Sequence, residues 1–264
     1  MKKTIIALMA LVGVASAATV GTIDKTDQDL LSYLDFSSTP DSTYYGSVAS
    51  VKDGYGIIDS SHTMWTQTTL DDKAATGAFT LSFDVRNFAN GDLLCVASNG
   101  ANGAIESNWD KVTLNTGDNN TLELKYYNNS DGTTSIISTG IKNDTTRTDW
   151  TTITLVGEIV TTDTGNTQYV SMYVDGTYID QLNMTTLSPA GWCGRNLDGF
   201  QFGAAFRNIG TTTTIQGSAE IDNVLFYKRA FTATEVKGLV IPEPTTATLS
   251  LLALCGLAAR RRRK

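Results

Sequence analysis

The chain has 264 residues, 41% of them apolar and 18% charged, proportions that exclude a disordered polyelectrolyte and a polytopic membrane protein. One histidine and three cysteines leave little material for a zinc site or a histidine-based triad. The 23 glycines favour short strands separated by many turns.

Lys2 and Lys3 precede an apolar run over residues 5–14, and Ala15-Ser16-Ala17 stands before Ala18. A basic start, an apolar segment of about ten residues and an A-x-A site form the pattern of a secretory signal peptide. Residues 1–17 are therefore expected to be removed on export.

Period-2 alternation then recurs along the chain. Phe79, Leu81, Phe83 and Val85 alternate with Thr80, Ser82, Asp84 and Arg86; Leu122, Leu124 and Tyr126 alternate with Glu123, Lys125 and Tyr127; Ile153, Leu155 and Ile159 alternate with Thr152, Thr154 and Glu158. Each segment reads as an antiparallel strand with one face toward a core and the other toward water. Further strands are expected at 30–36, 55–58, 93–97, 111–116, 134–139, 199–206 and 219–227. A hairpin is expected at 169–182, where Asp175-Gly176 supplies the positive φ angles of a two-residue turn. Residues 118–120, 128–132 and 163–166 read as loops, and 211–214 as a loop or an edge strand. One helix is expected after Thr232, which opens a capping box with Glu235; Val236 and Leu239 give it an apolar stripe, and Pro242 stops it. About a dozen short strands predict an all-β, two-sheet antiparallel sandwich.

Several side chains stand out against that frame. His62 has no second histidine to work with and reads as a structural or surface residue. Trp150 opens a strand and is expected in the core. Trp109 lies in Asn108-Trp109-Asp110, and Trp192 lies in a Gly-rich turn with Arg195 and Asn196. Tryptophans in loops either lid a core edge or stack on a ligand. Tyr127, Tyr169 and Tyr173 fall on polar-facing sides of strands, where they either line a binding face or simply suit a sheet surface. Cys95 and Cys193 would meet an oxidising compartment and read equally as a disulfide or as two buried thiols.

The C-terminus holds Ile241-Pro242-Glu243-Pro244, an apolar stretch over residues 247–259, and Arg260, Arg261, Arg262, Arg263 and Lys264. At about 1.5 Å per residue the stretch spans roughly 20 Å, short of the ~30 Å hydrocarbon core. The basic cluster would stay on the cytoplasmic side. This tail closely resembles the PEP-CTERM sorting signal of exported bacterial proteins. The resemblance implies transient membrane association through residues 242–264, processing by an exosortase-type transpeptidase, and delivery to the cell surface or beyond. The two terminal segments carry seven of the 20 basic and one of the 27 acidic residues, so residues 18–241 have a net charge of −13. Such a domain repels phosphate backbones, which disfavours nucleic acid as a partner.

Between the two ends the order of segments resembles the LamG-like, concanavalin A-type jelly-roll family. The likeness rests on residues 79–85, 150–155 and 172–176, and above all on the closing strand 221–227 with its Lys228-Arg229-Ala230-Phe231 turn and capped helical turn. It implies a glycan- or protein-binding module. Some related sandwiches are glucanases with a Glu-x-Asp-x-(x)-Glu strand; here Glu220-Ile221-Asp222-Asn223-Val224-Leu225 lacks the last carboxylate. Retaining hydrolysis needs two working carboxyls about 5–5.5 Å apart, so no catalytic residues are expected. The family also implies a structural calcium at Asp222, the alternative being a turn-bonded aspartate; alternation slips near Asp222–Val224, as at a bulge. The resulting expectation is an exported, surface-sorted, non-catalytic module that binds glycans or other extracellular polymer. The rival reading is a structural or adhesive matrix protein that binds a protein partner, and a glycoside hydrolase is the weakest of the three.

Overall fold

Alternating side chains become paired strands wherever a neighbouring segment shares the same period. In the computed structural model this holds over residues 26–36, 44–46, 50–59, 62, 64–66, 78–89, 91–97, 111–117, 120–127, 134–142, 149–163, 165–183, 199–203 and 217–240, which are the residues described. The strands are β1 (Leu30–Leu34), β2 (Tyr44–Gly46), β3 (Ser50–Lys52), β4 (Tyr55–Ile58), β5 (Met64–Thr66), β6 (Phe79–Arg86), β7 (Asp92–Ala97) and β8 (Lys111–Thr116). They continue as β9 (Thr121–Tyr127), β10 (Thr134–Lys142), β11 (Thr151–Thr162), β12 (Gly165–Val174), β13 (Thr177–Asn183), β14 (Gly199–Phe202) and β15 (Ala219–Tyr227), followed by α1 (Ala233–Leu239).

Two sheets result. One has the order β13-β12-β11-β6-β15-β4-β3, with β1 also on β15; the other has the order β10-β9-β8-β7-β14-β5-β2. Every pairing among the described residues is antiparallel, so the protein is an all-β sandwich with one short helix. β15 pairs with β4 through Ala219–Ile221 and with β1 through Val224–Tyr227. The changeover is a bulge between Asp222 and Leu225, where Asn223 has φ +49°.

The inward positions of both sheets form one apolar core. Phe83 of the first sheet meets Phe202 of the second edge-on at 5.0 Å, and Phe226 meets Phe200 at 5.4 Å, the offset geometry that aromatic quadrupoles prefer. Phe79 lies across its register partner Gly157, and a Cβ at Gly157 would run into the Phe79 ring. β11 therefore needs glycine opposite this phenylalanine.

The outer face of the first sheet departs from the expected polar-to-water pattern. Thr80, Ser82 and Thr154 point away from the core, yet all three are buried. The reason is the segment after β15, which folds back over them. The Thr80 hydroxyl donates to the Arg229 carbonyl at 2.8 Å and accepts from the Phe231 N–H at 3.0 Å. The Ser82 and Thr154 hydroxyls bond each other at 2.8 Å, so the buried polar groups are satisfied. α1 begins with the expected capping box, Thr232 accepting from the Glu235 N–H while the Glu235 carboxylate takes the Thr232 N–H. Val236 is its buried residue. At its far end Lys237 and Val240 abut Gly176 in the β12–β13 turn, where Asp175 and Gly176 have φ of +48° and +70°.

Some boundaries differ from the sequence reading. β2, β3 and β5 have three residues each, too few to show a period. Gly165 and Asn166, read as loop, belong to β12, because β11 and β12 continue as a ribbon past the ends of their other neighbours. Trp150, expected in the core, is only half-buried: its ring lies 4.2 Å from the Arg86 guanidinium and meets Tyr55 edge-on at 5.6 Å. The cation on the outer face holds the indole there.

Candidate functional site

The residues singled out in the sequence fall into three groups. Trp109, Trp192, Arg195, Cys193 and the Pro242-Glu243-Pro244 motif lie outside the described residues, as do both terminal segments. Cys95 is buried in β7 with Gln201 and Thr113 as its register partners; its pairing with Cys193 is not tested by the described part of the fold. Tyr127 ends β9 in the seven-stranded sheet, whereas Tyr169 and Tyr173 lie on β12 in the other. The three tyrosines therefore do not share one surface.

Tyr169 and Tyr173 do share one. Val170 and Met172 point into the core, so Tyr169, Ser171 and Tyr173 point outward from β12. The two tyrosines stand about 14 Å apart along the strand, at ~3.4 Å per residue. Register places Glu158 and Asn183 beside Tyr169, and Val156 and Gln181 beside Ser171. Thr154 and Tyr178 flank Tyr173. The Gln181 amide donates to Ser171 Oγ at 3.0 Å and to Glu158 Oε1 at 3.5 Å, a chain that fixes all three side chains across the strands. Tyr173 is 8% exposed and Tyr178 51% exposed, and their rings meet edge-on at 5.6 Å. Burial, then Tyr178 and Glu158, push the Tyr173 hydroxyl up, so it stays a neutral donor.

This arrangement can hold a flat, hydroxyl-rich ligand. An aromatic face takes the apolar side of a sugar ring, while amide and carboxylate groups take its hydroxyls. Tyr178 was not picked out in the sequence, although the signal was there. A two-residue Asp-Gly turn puts Val174 opposite Thr177, and therefore Tyr173 opposite Tyr178.

A second polar cluster occupies the end of the sheet near the β15 bulge. Asp84 is buried at 7% exposure. It accepts from Thr152 Oγ1 at 2.6 Å through one oxygen and from Asn223 Nδ2 at 2.8 Å through the other. Asn223 also donates to Asp222, from Nδ2 at 3.4 Å and from its backbone N–H at 2.8 Å. Burial raises the Asp84 carboxyl despite those two side-chain donors. Asp222 is pushed up to about 6, chiefly by burial and further by Asp84 and Asp35, with the Asn223 N–H and Arg86 acting the other way. Tyr33 is raised by burial, by Asp35 and by Asp222. Glu220 accepts from Arg86 Nε at 2.6 Å, and the same guanidinium lies 4.8 Å from the Tyr55 ring and 4.2 Å from Trp150.

Two carboxylates thus approach each other at Asp84 and Asp222. Asp84 is buried, with both oxygens already bonded, and Glu220 is held in an ion pair. Among the described residues no group of three or more His, Cys, Asp or Glu is arranged to hold a metal ion. His62 bonds Asp59 through Nδ1 at 2.7 Å, three residues away, a local turn contact.

No protein-family model matches the sequence, and no curated protein is similar to it. Solved structures resemble it in fold. Domain 4 of AbnA, an extracellular family 43 arabinanase from Geobacillus stearothermophilus solved with arabinotriose, is 14% identical at a TM-score of 0.50. The match covers 81% of this chain and 98% of that one. The binding domain of botulinum neurotoxin serotype D is 12% identical at a TM-score of 0.49, covering 79% of this chain and half, 50%, of that one. At such identities the likeness is one of fold.

Proposed function

We propose that the protein is an exported, surface-sorted, non-catalytic module that binds glycan chains on the outer face of β11, β12 and β13. The observation that carries this reading is the Tyr173–Tyr178 pair: a buried ring buttresses a half-exposed one beside the fixed Ser171–Gln181–Glu158 chain. An exposed tyrosine held in one orientation stacks without losing much rotamer freedom on binding. The sugar-bound arabinanase domain of the same fold supports the reading, as do the sequence likenesses to LamG-like domains and to a PEP-CTERM tail. On this reading the signal segment directs export, and the tail holds the protein briefly at the membrane before an exosortase-type enzyme releases it. Trp109 and Trp192 would serve as further contacts, and Asp222 as a calcium ligand.

Gel retardation of the protein in soluble polysaccharides tests the assignment. Tyr178→Ala should weaken retention about tenfold or more, as loss of a central aromatic anchor does, with the unfolding midpoint nearly unchanged because the ring is half in solvent. Retention equal to that of the unmodified protein would remove this face from consideration. A pull-down that recovers an envelope protein, with no polysaccharide bound, would support the adhesive reading instead.

A further inference from the structure

The candidate face carries charge of one sign. From Thr151 to Asn183 the sequence contains no lysine, arginine or histidine and four carboxylates, at Glu158, Asp163, Asp175 and Asp180. Asp175 is consumed within the fold, where its Oδ1 accepts from the Thr152 N–H at 2.9 Å. Glu158 stands beside Tyr169, and Asp180 is exposed on β13 opposite the inward-facing Met172, at a shift in the register. Lys237 of α1 packs its stem on the Gly176 turn.

Resting on the glycan-binding reading of this face, we infer that its ligand is an uncharged polysaccharide and that acidic polysaccharides are excluded. A sugar hydroxyl donates to a carboxylate in a charge-assisted bond, so Glu158 favours a neutral chain. A polyuronate brings a like charge to the same position and, on the described strands β11, β12 and β13, meets no guanidinium or ammonium. The exclusion is local, because charges farther off are screened within about 10 Å at 0.1 M salt. Binding of a neutral chain should therefore be insensitive to ionic strength.

The test uses the full chain with three soluble probes: a neutral β-glucan, a linear arabinan and polygalacturonate, each at low and high sodium chloride. The expected result is retardation by at least one neutral polymer, equal at both salt levels, and none by polygalacturonate. Glu158→Lys should bring measurable polygalacturonate retardation where the unmodified protein shows none, and that retardation should fall at high salt. Polygalacturonate binding as tight as that of the neutral probes, or neutral binding lost at high salt, would overturn the inference. If that polygalacturonate binding were abolished by Tyr178→Ala, the face would stand as the site and only its charge selectivity would fall. No retardation by any probe would remove both proposals.

Discussion

Asp222→Asn should stabilise the protein at neutral pH. The wild-type carboxyl lies beside Asp84 and Asp35 at the β15 bulge, and its pKa is raised from an ordinary 3.8 to about 6, first by burial. The folded state therefore keeps this proton to higher pH than the unfolded state does, and stability falls as pH rises between those two values. Below about 4 both states are protonated and the group costs nothing; above about 6 the cost is complete. At 1.36 kcal/mol per tenfold change, a shift of that size corresponds to about 3 kcal/mol. Asp222 is partly in contact with solvent, which reduces the figure to about 1–2 kcal/mol. Asparagine keeps the Oδ1 that accepts the Asn223 N–H, gives up the longer 3.4 Å bond from Asn223 Nδ2 and carries no charge.

Urea unfolding from pH 4 to 8 in a chelator measures the difference directly. The two proteins should unfold alike at pH 4, and the variant should gain about 1–2 kcal/mol by pH 7. A variant less stable at pH 8, or a gap that does not change with pH, would refute the account of this cluster. Calcium added at pH 8 provides a separate arm. If Asp222 is a calcium ligand, as the family likeness implies, the ion should raise the melting temperature of wild type and leave the variant unmoved.

Gly157→Ala should cost about 1–3 kcal/mol, since the new methyl must displace the buried Phe79 ring and overpacking a filled core carries that penalty; chemical denaturation reads it as a lower midpoint. Thr232→Ala removes the acceptor of the Glu235 N–H and should cost about 1 kcal/mol. Because α1 lies over the outer sheet face, that loss should also speed amide exchange at Phe231 and Val236, with the β11–β12 amides unchanged.

The fold was legible because its strands are long enough to show a period. Phe79 to Val85 alternates over seven residues, and the Asp175-Gly176 turn fixes Val174 opposite Thr177 and Tyr173 opposite Tyr178, beyond which a bulge shifts the register of β12 and β13 by one residue. The bulge at Asp222 was legible for the same reason, since Ile221 and Val224 cannot share a face in a regular strand. The three-residue strands were not, because three residues carry no period. Trp150 was misplaced in the core because a tryptophan before an apolar strand gives no sign of the distant Arg86 that stacks on it. The candidate site was half legible: Tyr169 and Tyr173 follow from parity within one strand. Which rings stay exposed depends on what α1 covers, and that depends on Thr80, about 150 residues earlier in the chain, holding Arg229 and Phe231.

That covering explains why one sheet face plays two roles. Over β6 and β11 the outward side chains Thr80, Ser82, Asp84, Thr152 and Thr154 are bonded to one another, to Asn223 or to the segment leading into α1, and they can be buried because each has a partner; Leu225 and Tyr227 of β15 lie opposite Ser82 and Thr80. The carboxylates there are taken up in closing the bulge, in the Arg86 ion pair and in the bond from Thr152. Toward β12 and β13 the outward residues are tyrosines and an amide, with Glu158 of β11 beside them. Tyr178 stands half in solvent against the buried Tyr173, and the proposed glycan contact rests on that position.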